Sequence, residues 1–372
     1  MITLKEIARM CGVSASTVSN ILNGKRNVSE ETRKKVLEIV TKTQYQPNSI
    51  AQGLRNQKTR LIGIIAEDIS LFSTPEMIES IMAYFESKDY KFVLENLRLY
   101  ARWNDQWFDN RKGYCSVLKP AMQELLSIKV DGIIYIAGHS RVIDCFPDDL
   151  QIPAVVAYGY SASRCFPSVV IDDEKGGYDM TEYLISMGHK KIGLLGGKPD
   201  NIHTRERLLG YQKALFENGI LYDPGLVRYG SWDRGSGYRE AGGLLDRNVT
   251  AIFCLADRMA GGVYDYFAEH DLTVGKEVSV AGYDNQIMSE YMYPALTTMD
   301  LPLSKIGTRA AEILFNLLEK GGGNSGAEIL PSKYPCSLMA RDSVRRIAGS
   351  DAPAENVPES SAPEDSARPF LG

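Results

Sequence analysis

Over the first sixty positions the apolar residues recur at helical spacing; beyond them they come in short unbroken runs, so the chain changes architecture near residue 60. Leu4, Ile7, Ala8 and Cys11 fall at i, i+3, i+4 and i+7, and Thr3 with Glu6 makes a T-x-x-E capping box. This predicts a helix from Leu4 to Met10 that stops at Gly12. Ser14 caps a second helix whose Val18, Ile21 and Leu22 point inward, leaving Ala15, Ser16, Ser19 and Asn20 on a small, polar, exposed face. Asn23-Gly24 ends it. Ser29, followed by Glu30 and Glu31, starts a third helix with Val36, Ile39 and Val40 as its apolar stripe. Pro47-Asn48 breaks that helix, and Ser49 to Arg55 is a short helical segment with Ile50, Ala51 and Leu54 on one side. Such a segment is too short to be stable alone, and Gly53 weakens it further.

Beyond Arg60 the runs beginning at Leu61, Val130, Ile152, Val169, Lys191, Ala251 and Val278 read as buried parallel strands. Amphipathic helices lie between them, best marked at Pro75 to Ser87, Glu174 to Met187, Arg205 to Asn218 and Gly261 to Glu269. The alternation predicts doubly wound α/β halves, with a ligand cleft at the C-terminal ends of the strands. Polar groups at those ends are Glu67, Asp68, Gly138, His139, Asp172, Asp173, Gly196, Gly197, Asp257, Asp284 and Asn285.

Charge sharpens the division. The 372 residues carry a net −5, yet Met1 to Arg60 holds eleven Lys/Arg against four acids, a surplus of seven, so the remainder carries −12. A basic end on an acidic body suits a nucleic-acid-binding head on a sensor domain, because phosphate contacts dominate non-specific affinity. No apolar run approaches the roughly 20 residues that span a bilayer. The N-terminus has no secretory signal, so the protein is expected in the cytoplasm. The six cysteines have no C-x-x-C pair and the four histidines stand apart, so reduced thiols, no metal and no cofactor are expected. GLLGGKP from Gly193 lacks phosphate-loop spacing, and neither a G-x-S-x-G elbow nor an acid pair names a catalytic group.

Two helices joined by a Gly-containing turn, the second with a polar outer face, make a helix-turn-helix arrangement. The strings TLKEIARMCGVSASTVSNILNG, VSEETRKKV and YQPNSIAQGLR resemble the head of the LacI/GalR family of bacterial transcription regulators. The likeness continues through GYQKALFENGI, LADRMAGGVYDYF, VSVAGYDN and YPALTTMDLP and is nearly full length. It implies an all-α helix-turn-helix head (1–47), a hinge helix and linker (48–60), and a periplasmic-binding-protein-like sensor of two doubly wound lobes (61–347). The N-lobe is expected at 61–168 and 300–326, and the C-lobe at 169–298 and 327–347. Crossovers are then expected near Ser168 to Asp172, Thr298 to Pro302 and Ala327 to Ile329. The Pro-, Ser- and acid-rich stretch 348–372 reads as a disordered tail without a leucine heptad. A homodimer on two-fold operator DNA is therefore the expected assembly.

The resemblance also assigns roles. Ala15, Ser16 and Asn20 take the base-reading positions, among DNA-facing residues that include Thr3, Ser14, Thr17, Ser19 and Asn23, while Ala51 and Leu54 belong to a hinge that wedges the minor groove. Many relatives carry arginine where Asn20 stands, so the base read there differs. Arg207, in the R-x-x-G-Y string, and Asp284, of GYD, correspond to groups that hold hydroxyls of a small, sugar-like effector. Trp232 takes the place of an aromatic that stacks on the sugar. Phe72 and His139 are expected at the cleft mouth and a strand end, and Asp257 beside the ligand. Ala256 stands where relatives have Asn or Ser, which removes one polar contact. The aromatic-rich segment from Arg98 to Cys115 reads as a lid, a partner contact or a packed flap. A sugar-binding module or degenerate enzyme on the same α/β body is the alternative that the basic head argues against.

Overall fold

The structure is a computed structural model that describes residues 2–22, 28–45, 59–104, 110–146, 150–162, 166–321 and 330–347. The chain forms two compact units, Met1–Ile171 with Pro302–Tyr334, and Asp172–Leu301 with the chain from Pro335 onward.

The first three helices are α1 (Leu4–Cys11), α2 (Ala15–Leu22) and α3 (Glu30–Thr43). The capping box of α1 forms in full: the Glu6 amide donates to Thr3 Oγ1 at 3.3 Å and the Thr3 amide to Glu6 Oε2 at 2.7 Å. Gly12 closes α1 with φ 71°, a left-handed value that glycine reaches without strain. Ile7, Ala8, Cys11, Val18, Ile21 and Val36 are the buried core of this head. Ile39 and Val40, expected inside, are only half-buried and pack at its margin.

The rest of the first unit is built on a six-stranded sheet in the order β13 (Ser332–Pro335), β7 (Ser168–Asp172), β5 (Ala154–Ala157), β3 (Gly132–Ile136), β1 (Leu61–Ala66) and β2 (Lys91–Asn96). In chain order its elements are β1 (Leu61–Ala66), α4 (Thr74–Glu86), β2 (Lys91–Asn96), α5 (Leu99–Trp103), α6 (Arg111–Ser127), β3 (Gly132–Ile136), β4 (Val142–Ile143), β5 (Ala154–Ala157), β6 (Tyr160–Ser161) and β7 (Ser168–Asp172). Strands β2, β1, β3, β5 and β7 run parallel, so the inner ones are buried on both faces, and this is why they read as continuous Ile/Val runs. Tyr114, Leu118 and Leu125 of α6 pack with Ile133, Tyr135 and Val156 in one core. Trp103 lies against that core, so its end of the segment from Arg98 to Cys115 is a packed flap; Trp107 and Phe108 lie outside the described residues.

The second unit contains α7 (Asp173–Ser186), β8 (Ile192–Gly196), α8 (Ile202–Glu217), β9 (Val227–Tyr229), α9 (Arg234–Leu245), β10 (Ala251–Cys254), α10 (Asp257–Glu269), β11 (Ser279–Ala281), α11 (Met288–Tyr291) and β12 (Thr298–Asp300). Its parallel sheet has the order β11-β10-β8-β9. Helices α7 and α8 meet closely because both carry glycines at the contact: a Cβ at Gly210 would overlap the Glu174 carbonyl, and one at Gly177 the Arg207 backbone. That approach sets Arg207 beside the first turn of α7.

After β12 the chain returns to the first unit as α12 (Leu303–Glu319), which packs on α4, and β13 (Ser332–Pro335); it then re-enters the second unit as β14 (Ser337–Met339). The divisions fall at Ile171–Asp172, Leu301–Pro302 and Tyr334–Pro335. The last corrects the expected crossover at Ala327 to Ile329, residues that lie outside the described ones. The N-lobe does not end at 326, because β13 is a strand of its sheet. It also resumes at Pro302 rather than at 300, because β12 pairs antiparallel with β14 in the second unit, Thr298 against Met339 and Asp300 against Ser337.

Candidate functional site

Three groups of residues carry the chemistry. In the head, Ser14 caps α2: the Thr17 amide donates to its Oγ at 3.1 Å, and its hydroxyl also pairs with Ser16 Oγ at 2.7 Å and Thr17 Oγ1 at 2.8 Å. Ser16 is exposed at the start of α2; Thr17, Ser19 and Asn20 are half-buried. Ala15 was expected on the free face, but it is half-buried and packs partly against the head core. Asn23, Ala51 and Leu54 lie outside the described residues.

The second unit gathers Arg207, Trp232, Asp257 and Asp284. Arg207 is 2% exposed although it carries a full charge, which requires partners. Its Nε donates to Asp173 Oδ1 at 2.7 Å and its Nη1 to the Leu255 carbonyl at 2.6 Å. Its guanidinium lies 3.6 Å from the centre of the Tyr283 ring, and Nη1 stands 3.8 Å from Asp284 Oδ1. Burial opposes ionisation of Asp173, but His203 and Arg207 outweigh it and hold that carboxyl down at about 2. Asp284 is pushed well above the ordinary carboxylate range by burial, Arg207 only partly offsetting it. Its φ of 110° marks a strained turn after β11. Trp232, also at positive φ (61°), lies across the C-terminal end of β8, where a side chain at Gly197 would overlap the indole. Its ring centre is 6.0 Å from the Arg207 guanidinium.

Asp257, at the N-terminus of α10, is fully buried, with one oxygen accepting from Thr298 Oγ1 at 2.6 Å and the other from the Gln286 amide at 2.8 Å. Burial raises it to about 7 against those hydrogen bonds. It thus secures the loop that carries Asp284. His203, not singled out from the sequence, joins the cluster: its Nδ1 is 2.7 Å from Asp173 Oδ2, and its ring stands edge-on to Trp232. The available signal was its place one turn before Arg207 on the same helix. A guanidinium, a carboxyl group and an indole set side by side supply donors, an acceptor and an apolar face, a combination suited to vicinal hydroxyls on a compact ring.

Phe72 and His139 belong to the first unit. Phe72 is 45% exposed just before α4, and His139 is half-buried after β3. The preceding Gly138 amide donates at 2.6 Å to the buried Glu67, which also accepts from Tyr135 Oη at 2.5 Å and Arg141 Nη2 at 2.6 Å. Asp68 accepts from Ser70 and from the Tyr100 and Ala101 amides; burial opposes its ionisation, yet these bonds hold it below its usual range. Cys115 and Cys145, expected as separate thiols, are joined as a disulfide, whereas Cys11, Cys254 and Cys336 are buried and free. No metal-binding group of three His, Cys, Asp or Glu occurs among the described residues, and no described helix is long and apolar enough to cross a membrane.

A helix-turn-helix head joined to two α/β units defines a DNA-binding transcription regulator. Residues 3–48 match the family model of bacterial regulatory proteins of the lacI family, and residues 181–344 that of the periplasmic binding protein-like domain. The chain is similar to the HTH-type transcriptional regulator RegA of Clostridium saccharobutylicum, 34% identical over 323 residues that cover 86% of this chain and 93% of that protein. Among solved structures it is similar to the Lac repressor bound to ONPG in its repressed state, with TM-score 0.74, 27% identity and coverage of 92% of this chain and 99% of that one. It is also similar to a complex of the transcriptional regulator CelR with cellobiose, with TM-score 0.59, 25% identity and coverage of 92% and 100%. The chain belongs to the LacI family of bacterial transcription regulators.

Proposed function

We propose that the protein is a cytoplasmic homodimer that represses a carbohydrate-use operon and is controlled by a sugar-like effector held around Arg207, Asp284 and Trp232. The observation that carries this reading is the buried guanidinium beside a carboxyl group and an indole, a set of polar groups and an apolar face that suits a polyhydroxylated ring. A cellobiose complex among the similar regulators supports the sugar class. Asp257 and His203 act as positioning residues behind these contacts; Phe72 and His139 supply contacts from the N-lobe.

Operator DNA is read by the start of α2 through Ser16 and Asn20, with Ala15 giving apolar contact to a thymine methyl and Thr3, Ser14, Thr17, Ser19 and Asn23 around them. Residues 48–60 act as the hinge, with Ala51 and Leu54 in the minor groove. The effector binds one lobe arrangement better than the other and thereby shifts operator affinity. The site has ligand-holding groups but no activated nucleophile, which favours a sensor over an enzyme.

A thermal-shift screen of the full chain against mono- and disaccharides and their phosphates tests the effector class, because a ligand of the native state raises its melting temperature by mass action. A hit lost in Trp232→Ala and Asp284→Asn supports the site. No hit among sugars, with one among purine bases instead, would replace the carbohydrate reading.

A further inference from the structure

Cys115 and Cys145 belong neither to the head nor to the cluster around Arg207. Cys115 is in the second turn of α6 and Cys145 two residues beyond β4, both half-buried at the rim of the first unit's core. Their Cα atoms are 5.7 Å apart, inside the span a disulfide bridges without backbone movement. The ion pair Arg111–Asp144 ties the same two segments alongside. Immediately inward, the Arg141 guanidinium stacks 4.3 Å from the centre of the Tyr114 ring and binds Glu67, which holds the Gly138 amide. The cysteine pair therefore straddles the segment that runs from the C-terminal end of β3 to Phe146.

We propose that Cys115 and Cys145 are a reversible redox site whose disulfide locks residues 138–146 onto α6. A small disulfide such as oxidised glutathione is the oxidant. One protein thiolate attacks its S–S bond and releases one glutathione thiolate. The second protein thiolate then attacks the mixed disulfide, closing the protein bridge and releasing another. Two electrons pass to the reagent and two protein thiol protons are lost. Cys254 and Cys336 do not compete, because burial removes them from solvent and keeps their thiols protonated. In a reducing compartment such a half-exposed bridge forms only transiently, as befits a sensor. Since His139 lies within the locked segment, oxidation alters the effector response; that consequence rests on the function proposed above, and the bridge itself does not.

The test needs neither effector nor DNA. Full-length protein is equilibrated across glutathione mixtures, quenched, denatured, alkylated and mapped by mass, and amide exchange is followed on matched reduced and oxidised samples. The expected result is joint loss of alkylation at Cys115 and Cys145, restored by dithiothreitol, with several-fold slower exchange over 138–146 and no change in the second unit. Cys115→Ala keeps Cys145 alkylated throughout, and Cys145→Ala does the converse for Cys115; melting followed by circular dichroism confirms that each is folded. Persistent alkylation at both sites, or pairing of either with Cys165, overturns the site. A bridge that leaves exchange unchanged overturns the lock.

Discussion

Replacing Arg207 by Met keeps the length and apolar stem of the side chain and removes its charge. Asp173 is held at about 2, from an ordinary 3.8, by His203 and Arg207 together. Its depression favours the folded, ionised state at neutral pH by roughly 2 kcal/mol. Met also leaves the Leu255 carbonyl without its 2.6 Å donor, a further loss of ~1 kcal/mol, and Asp284 without its cation. The sum falls at the lower end of the ~3–5 kcal/mol expected when one member of a buried ion pair is removed. Of the three tryptophans only Trp232 belongs to the second unit, so Phe at positions 103 and 107 makes its fluorescence a report on that unit alone. Urea unfolding of Arg207→Met in this background at pH 7 should show a midpoint ~1.5 M lower, taking a slope of roughly 2 kcal/mol per M. Adding Asp173→Asn should recover ~1–3 kcal/mol, since the two sites share an interaction. A midpoint within about 0.3 M of the parent would refute the idea that Arg207 holds this cluster together.

Three further outcomes follow from the same geometry. Asp257, raised to about 7 in the folded protein from 3.8 unfolded, contributes stability that is complete below 3.8 and is lost as the pH rises to 7. Unfolding followed at Trp232 should therefore show lower stability at pH 7.5 than at pH 5, and Asp257→Asn should flatten that dependence; a rise over this range would contradict it. Gly210→Ala places a methyl against the Glu174 carbonyl, so it should cost ~1–3 kcal/mol, measurable as a lower urea midpoint, whereas exposed Gly219→Ser on the same scale reports only its left-handed φ of 68°. Ser14→Ala removes the α2 cap and should cost the head ~1 kcal/mol, visible as faster amide exchange in α2, while Asn20→Ala should leave exchange unchanged and relax operator preference at one base pair by ~1–3 kcal/mol in competition binding.

How far the sequence led depended on burial. Seven strands were legible because a strand covered on both faces shows as an unbroken apolar run. β2 was not: Lys91–Asn96 lies at the sheet edge with its side chains exposed or half-buried, and KFVLEN carries no such run. β9, β12 and β14 are three residues each, too short for any period. Helix α9 holds four glycines, which read as loop; its Gly237 is required because a Cβ there would meet the Met259 carbonyl of α10.

The candidate site divides along the same line. Arg207 and Asp284 were marked by strings that resemble a family, but their environment was not, because Asp173, Leu255 and Tyr283 come from three other elements. Asp173 meets Arg207 only because glycines let α7 and α8 close together, and Asp284 is held near it by a backbone bridge to Asp300, the last residue of the β12 strand that no pattern announced. His203 and Asp257 are the instructive pair. His203 precedes the helix expected from Arg205, and nothing in the sequence supplied a reason for a buried imidazole; the reason is the Asp173 carboxylate 2.7 Å away. Asp257 looked like a ligand contact from its strand-end position, yet Thr298 and Gln286 occupy both its oxygens. Its burial makes it a support for the turn at Asp284, so a substitution there should change effector affinity through the position of Asp284 rather than through a lost contact. The distinguishing observation is a parallel loss of effector affinity in Thr298→Val, which removes a hydrogen bond holding Asp257 and leaves its carboxyl in place for any direct contact.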